Sequence, residues 1–378
     1  MKGKLLILGA GEMQVPIIKK AREMGYDTLV ADYNKDAPGI KYASRFFEVS
    51  TLDKDAILKI ATEEQITGIL TTSDAPVRVV SYVGTHMNIP CMTEEVSEVC
   101  TNKYLQRTIF QKNGINCPKF TLRGRNDIIS DLTNFPYIVK PLDSSASRGV
   151  TRVNNSKELE EAINESLTYS KKENVIIESF IEGREFSVET LTQNNKTSII
   201  AITEKLTCGE DQGYFVENTH IIPARISENE RELIETEVKK AIKTIGINNC
   251  PTHTEIKINK RGAFIIEIAC RLGGDYITSD LVPLATGVDM LENLIKLSVG
   301  NKIDIQKRQT FVSAVKFITP DNYYNCQNYI SEGDVFLVRY HIEPYEDRII
   351  KNSIDRLGYI ILQCPEMSQL EIELSKLS

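Results

Sequence analysis

The chain has 378 residues, 41% apolar and 26% charged, with a formal net charge of -7 at pH 7. That length needs more than one core, and the composition is that of a folded protein, which excludes disordered and fibrous classes. The acidic balance argues against a general phosphate-backbone binder, so no nucleic-acid partner is expected, although a local basic cleft can still grip a nucleotide.

Cys91, Cys100, Cys117, Cys208, Cys250, Cys270, Cys326 and Cys364 form no C-x-x-C pair. They read as reduced thiols rather than a disulfide framework or zinc site, which points to a cytoplasmic location. The apolar run Leu5 to Leu8 meets Glu12 too soon for a signal peptide, and no run approaches the roughly 18 apolar residues of a membrane span, so no membrane partner is expected.

In chain order, KLLILGAG, a helix around Val15 to Met24, DTLVADYN, a helix around Lys54 to Glu64 and GILTTSD alternate strand and helix signals. They predict a parallel α/β unit over residues 1–100. A helical stretch around Asn102 to Asn113 precedes two strands, CPKFTLRG and FPYIVKPLD, and the small-residue loop SSASRGV. That loop leads into a short strand and a helix that Asn155 can cap with Glu158 three residues on. VIIESFI, EFSVETLT and TSIIAITE read as strands, and LTCGEDQGYFVENTHIIPA as a less regular, polar stretch beside a site. A helix over Glu230 to Ile245, the hairpin THTEIKINKRGAFIIEIA and a helix near Asp289 to Val299 follow. The tail reads as strands with turns: FVSAVKFIT, DVFLVRYHI and LGYIILQC. The divisions drawn from this are 1–100, 101–189, 190–305 and 306–378.

The hairpin carries the clearest chemistry. A three-residue tip, Lys260, Arg261 and Gly262, would pair Asn259 with Ala263, set Lys257 opposite Ile265 and bring Glu255 opposite Glu267. Two carboxylates about 5 Å apart at Cβ need a cation, a shared proton or full solvation, and oxygen ligands on a rigid platform suit magnesium together with substrate phosphates. Strand alternation puts Arg271 on the same face, and its planar fork suits a carboxylate or phosphate. Gly273 and Gly274 then allow close approach of a ligand or offer amides to an oxyanion.

Lys140 ends an apolar strand beside the small-residue loop, a good place to meet phosphates. Lys103 opens a helix. The loop's hydroxyls and amides can fold over a polyphosphate, yet no G-x-x-x-x-G-K-[ST] is present. Glu178 to Ile181 offer a strand end to an adenine edge, and Glu185 follows, polar enough for ribose hydroxyls. His220, beside Glu217, stands after the polar stretch, with His253 a second candidate. The loops Thr71 to Val77 and Thr207 to Thr219 are the expected sources of substrate contacts.

The ordered set Lys103, Lys140, SSASRGV, ESFI with Glu185, TEIKI and EIACRLGG resembles the ATP-grasp superfamily over roughly residues 1–300, and the tail resembles that group's small C-terminal subdomain. Within it the chain looks most like the carboxylate-amine ligases that include bacterial L-amino acid (dipeptide) ligases. The resemblance implies a multidomain α/β and α+β fold, with a Rossmann-like N-terminal (pre-ATP-grasp) domain, an ATP-grasp fold and the small C-terminal subdomain. It implies ATP and Mg2+ (or Mn2+) as cofactors, Lys103 and Lys140 on phosphates, and Ser144, Ser145, Ser147 and Gly149 in a closing lid. Glu178, Ser179, Phe180 and Ile181 would hold adenine, Glu185 ribose, and Glu255 and Glu267 the metal. Arg271, His220 and Gly274 would act at the substrate and transition-state site. One departure is Ala269, since many members carry Asn two residues after the second metal Glu.

The implied activity is an ATP-dependent carboxylate-amine ligase that passes through an acyl phosphate and releases ADP and phosphate. Its partners would be a small carboxylate and an amine, an amino acid on either side, with a homodimer as the family-level expectation. A thiol or carrier-protein acceptor and a non-catalytic nucleotide-binding protein stay open. A nicotinamide-dependent oxidoreductase is a further alternative, suggested by GAGEMQ and Asp32, but Gln14 stands where the third glycine of that fingerprint belongs.

Overall fold

A computed structural model describes residues 2–142, 148–170, 172–208 and 216–378. The N-terminal unit runs β1 (Lys4–Leu8), α1 (Val15–Glu23), β2 (Asp27–Asp32), β3 (Arg45–Glu48), α2 (Lys54–Glu64), β4 (Gly68–Leu70), α3 (Val77–Met87), α4 (Glu94–Cys100) and α5 (Lys103–Lys112). Its parallel sheet has the order β3-β2-β1-β4, so β1 lies inside it, and Leu5 to Leu8 are fully buried, as expected of a strand covered on both faces. The helices α3 and α4 and the strand β3 are additions to the elements expected from the sequence.

The next unit is an antiparallel sheet of order β5-β8-β6-β7, built from β5 (Phe120–Gly124), β6 (Tyr137–Pro141), β7 (Thr151–Val153) and β8 (Asn174–Ser179). One helix, α6 (Ser156–Thr168), packs Leu159 and Ile163 onto Val139, Val153, Val175 and Ile177. The expected cap is present, with Asn155 Oδ1 accepting the Glu158 amide at 3.0 Å, while the Glu158 carboxylate reaches back to the Asn154 amide at 2.8 Å.

The third sheet has eight strands. In chain order its elements are β9 (Arg184–Gln193), β10 (Lys196–Cys208), β11 (Val216–Ile222), α7 (Glu228–Ile245), β12 (Cys250–Asn259), β13 (Gly262–Ala269), α8 (Val282–Thr286), α9 (Met290–Ser298), β14 (Val312–Ile318), α10 (Tyr323–Glu332), β15 (Leu337–Ile342), β16 (Gly358–Cys364) and α11 (Met367–Lys376). The strand order is β13-β12-β9-β10-β11-β14-β16-β15. Helix α7 packs Ile234, Val238 and Ile242 in one core with Phe186, Val188, Ile256 and Ile265, which leaves the strands' opposite face for a site.

Two expectations about elements need correction. Most of the stretch expected to be irregular is strand, because β10 runs on to Cys208 and pairs antiparallel with β11. The tail holds helices as well as strands: Tyr323, Cys326 and Tyr329 recur at helical spacing on a buried face, and Gly333 ends α10 at φ 72°.

Candidate functional site

The hairpin of β12 and β13 brings Glu255 opposite Glu267 by a route other than the one expected. Its tip is a two-residue turn, since Asn259 pairs with Gly262 and Lys257 with Phe264 rather than Ile265. A β-bulge then restores the register: Ile256 pairs with Ile265, Glu255 with Glu267, and Ile266 is the extra residue. The bulge turns both Ile266 and Glu267 toward a cavity of about 320 Å³.

That cavity lies where the N-terminal unit, the four-stranded antiparallel sheet and the eight-stranded sheet meet. Apart from Gly149, every described residue of the expected set lines it: Lys103, Lys140, Glu178, Ser179, Phe180, Ile181, Glu185, His220, Glu255, Glu267, Arg271 and Gly274. Gly149 stands beside the wall at φ 71°, where a Cβ would meet Tyr169 at 2.8 Å. Ser144, Ser145 and Ser147 lie outside the described residues.

The charges in the wall are paired with one another. Lys103 Nζ is 3.2 Å from Glu267 Oε1, and Lys140 Nζ is 2.7 Å from Glu178 Oε2. Glu178 also meets Arg107, whose Nε lies 2.7 Å from Oε1. Burial pushes the Glu178 carboxyl up, but Arg107 and Lys140 outweigh it and hold it down to about 2. The Lys205 ammonium sits among Glu185, Glu217 and Glu255; burial opposes its charge, yet these carboxylates keep it protonated well above the ordinary lysine range. The same lysine is the main cause holding Glu255 well below the usual carboxylate range.

Arg271 forks onto Asp74, with Nε 2.6 Å from Oδ1 and Nη2 3.0 Å from Oδ2. His253 Nδ1 is 2.6 Å from Glu189 Oε1. Burial works against the imidazolium, but Glu189 raises His253 to about 9. Glu189 Oε2 accepts the Gly273 amide at 3.2 Å, so of the two glycine amides offered to an oxyanion, Gly273's is already engaged, while Gly274 lines the cavity. A Cβ on Gly273 would lie 2.7 Å from His253 Nδ1, which is why this position is glycine. Asp275 and Tyr276 follow at φ 49° and 65°. Burial raises the Asp275 carboxyl, but His220 and Arg356 beside it leave it lowered overall.

Sequence reasoning did not single out Asp74, Glu189, Lys205 or Arg107. A signal existed for two of them: Asp74 lies in the loop after β4 expected to contact substrate, and Lys205 interrupts an apolar strand much as Lys140 ends one. The glycine turn after β1 is engaged internally. Asp32 Oδ2 accepts the Ala10 amide at 2.8 Å and Oδ1 the Asn34 amide at 2.9 Å, while Gln14 donates to Ser73 at 3.0 Å. Both Asp32 oxygens are thus taken by the chain's own backbone, which disfavours a ribose contact there.

The donor set suits a magnesium nucleotide. Among the described residues no group of three or more His, Cys, Asp or Glu is arranged to hold a metal ion alone. Glu255 and Glu267 together with ligand phosphates match the way magnesium is usually bound. Among the described residues no helix is long and apolar enough to cross a membrane.

The ATP-grasp domain model matches residues 133–280. An uncharacterised protein of Sinorhizobium fredii is 24% identical over 94% of this chain and 75% of its own length. Alanine–anticapsin ligase of Bacillus subtilis is 26% identical over 67% of this chain and 58% of its own length, so the chain spans less than two thirds of that ligase. The crystal structure of L-amino acid ligase from Bacillus licheniformis superposes with a TM-score of 0.82 at 22% identity, over 99% of this chain and 96% of that one.

Proposed function

Residues 133–280 are an ATP-grasp domain, and on that premise we propose that the chain is an ATP-dependent carboxylate-amine ligase that forms an amide or peptide bond through an acyl phosphate and releases ADP and phosphate. The observation that carries the reading is the facing pair Glu255 and Glu267, each already holding an ammonium, in a cavity walled by further lysines and Arg271. Such a site is charge-matched to a magnesium polyphosphate, because carboxylates can exchange lysine for metal while lysines exchange carboxylate for phosphate.

Bound Mg-ATP would supply the phosphoryl group that activates the substrate carboxylate and the metal charge that offsets its transfer. Glu255 and Glu267 would hold the metal, and Lys103 and Lys140 the phosphates. The Ser179 and Phe180 amides donate to the Lys119 and Pro136 carbonyls at 2.8 and 3.1 Å, so an adenine edge would meet Ile181 and the strand-end carbonyls. Glu185, paired with Lys205 and Lys257, would turn to the ribose hydroxyls. Arg271, held in plane by Asp74, would orient the acid, and the Gly274 amide would face the tetrahedral oxyanion. His220 would bind the acceptor or take its proton. Ala269 in the wall would leave the metal fewer protein oxygens than an Asn at that position.

The test is ADP release across pairs of amino acids and other carboxylic acids, with products read by mass spectrometry. Release is expected to require both magnesium and an acid, and Glu267→Gln to abolish it. A thiol acceptor would appear in the same spectra as a thioester. Nucleotide binding without turnover across the whole panel would count against the ligase reading, and near-normal activity of the Gln variant would remove Glu267 from the metal.

A further inference from the structure

Three carboxylates from three strands converge on one buried ammonium. Lys205 Nζ on β10 lies 2.9 Å from Glu185 Oε1 on β9, 3.4 Å from Glu217 Oε1 on β11 and 2.9 Å from Glu255 Oε1 on β12. The register builds this directly, because Lys205 stands opposite Glu185 in one pairing and opposite His220 in the other. Its side chain is only 3% exposed. The oxygens sit at ammonium spacing, wider than the roughly 2.1 Å of a magnesium shell. The facing metal candidate, Glu267, is held in the same way by Lys103 at 3.2 Å.

We propose that Lys205 is an internal counter-ion that keeps this acidic cluster closed to a bare divalent cation, so that the metal is admitted only together with the nucleotide's phosphates. The inference rests on the Mg-ATP reading above and adds an order of binding to it. A free cation approaching Glu255 and Glu267 would have to take them from two lysines. Those lysines would remain a few ångströms away, and their repulsion is weakly screened in so buried a place. Lys205 itself has nowhere to go: withdrawing it from Glu185 and Glu217 would leave a buried charge unpaired. A polyphosphate reverses the balance. Its oxygens give Lys103 a new partner and complete the metal's shell, while Lys205 keeps Glu185 and Glu217 and releases Glu255. Lys205 is therefore a positioning residue, acting through Glu255.

Mn2+ titration followed by the loss of its free-ion electron paramagnetic resonance signal tests this without turnover. Nucleotide-free wild-type protein is expected to bind no Mn2+ at millimolar concentration, and to bind it once β,γ-methylene-ATP is added. Lys205→Met should gain nucleotide-free Mn2+ binding by about tenfold or more, because Glu255 then loses its ammonium, while among the described residues Glu185 keeps only Lys257 at 3.4 Å and Glu217 only Arg356 at 3.6 Å. Lys205→Arg, which restores the charge, should lose that gain. A purely structural lysine would lower the melting temperature without creating a Mn2+ site. Should Lys205→Met fail to fold, Lys205→Gln with Glu217→Gln removes one charge of each sign and gives the same readout. Tight Mn2+ binding by nucleotide-free wild type, or no gain in a folded variant, would overturn the proposal alone. Absence of Mn2+ binding even with the analogue would overturn the Mg-ATP reading with it.

Discussion

Glu178 is the residue whose charge the fold constrains most visibly. It is 1% exposed, lies between Arg107 and Lys140, and is held at about 2. A carboxyl whose folded value lies below its unfolded one contributes stability that is fully present above the unfolded value and lost as pH falls through the folded one. The protein should therefore lose a few kcal/mol from this group between about pH 5 and pH 2. Glu178→Gln leaves two buried cations without their shared partner, a change that typically costs about 3–5 kcal/mol. Thermal melts from pH 7 to pH 3 should show the variant well below wild type at pH 7 and with a shallower acid decline; parallel curves would remove Glu178 from that limb. The sequence made Lys140 legible because a lone charge closing an apolar strand needs an explanation. It hid Arg107, since the carboxylate that justifies this buried cation, Glu178, is far away along the chain, 71 residues on.

At the scale of elements, the turn after β13 offers a contrast between neighbours. A Cβ on Gly273 would lie 2.7 Å from His253 Nδ1 and 2.8 Å from Glu189 Oε1, whereas one on Gly274 meets nothing within 4 Å. Gly273→Ala should thus force the buried pair apart and lower stability by about 1–3 kcal/mol. Gly274→Ala should melt like wild type, which denaturant unfolding of the two variants checks; equal losses would show that the turn's backbone, not the His253 and Glu189 pair, demands glycine. The hairpin that feeds this turn shows what alternation can and cannot reveal. The Glu255 and Glu267 pairing was readable, but a tip one residue shorter and the bulge at Ile266 compensate each other, and local patterning contains neither. Helices α10 and α11 escaped for a related reason: their short buried faces, such as Tyr323, Cys326 and Tyr329, sit among polar residues and compete poorly with the stronger strand signals of β14 and β16.

At the scale of the molecule, the cavity is assembled from segments between Asp74 and Ser353, so its outline could not be read from any one motif. The motifs supplied the side proposed for phosphate and metal, because lysines, a small-residue loop and paired carboxylates are chemically distinctive. The opposite end, where Arg356 lies 2.8 Å from Asp275 and Ser353 faces the cavity, depends on how the tail strands continue the eight-stranded sheet through β11 and β14. This assembly predicts how ligand binding should stabilise the protein. A nucleotide bound with metal would touch all three units at once and should raise the midpoint of the whole transition. At a hundredfold excess over Kd the gain is about 2.7 kcal/mol, a shift of a few degrees for a chain this long. Mg2+ alone should produce no shift, because Lys103 and Lys205 hold its carboxylates, and ATP with a chelator should give only a small one. Differential scanning calorimetry with each component separately and together separates these cases. Amide exchange should show the added protection in β6, β8, β12 and β13 but not in α10 or α11, which lie away from the cavity. A midpoint raised as much by Mg2+ alone as by Mg2+ with ATP would mean that the carboxylates are open to metal before the nucleotide arrives, and that the paired lysines do not govern the site.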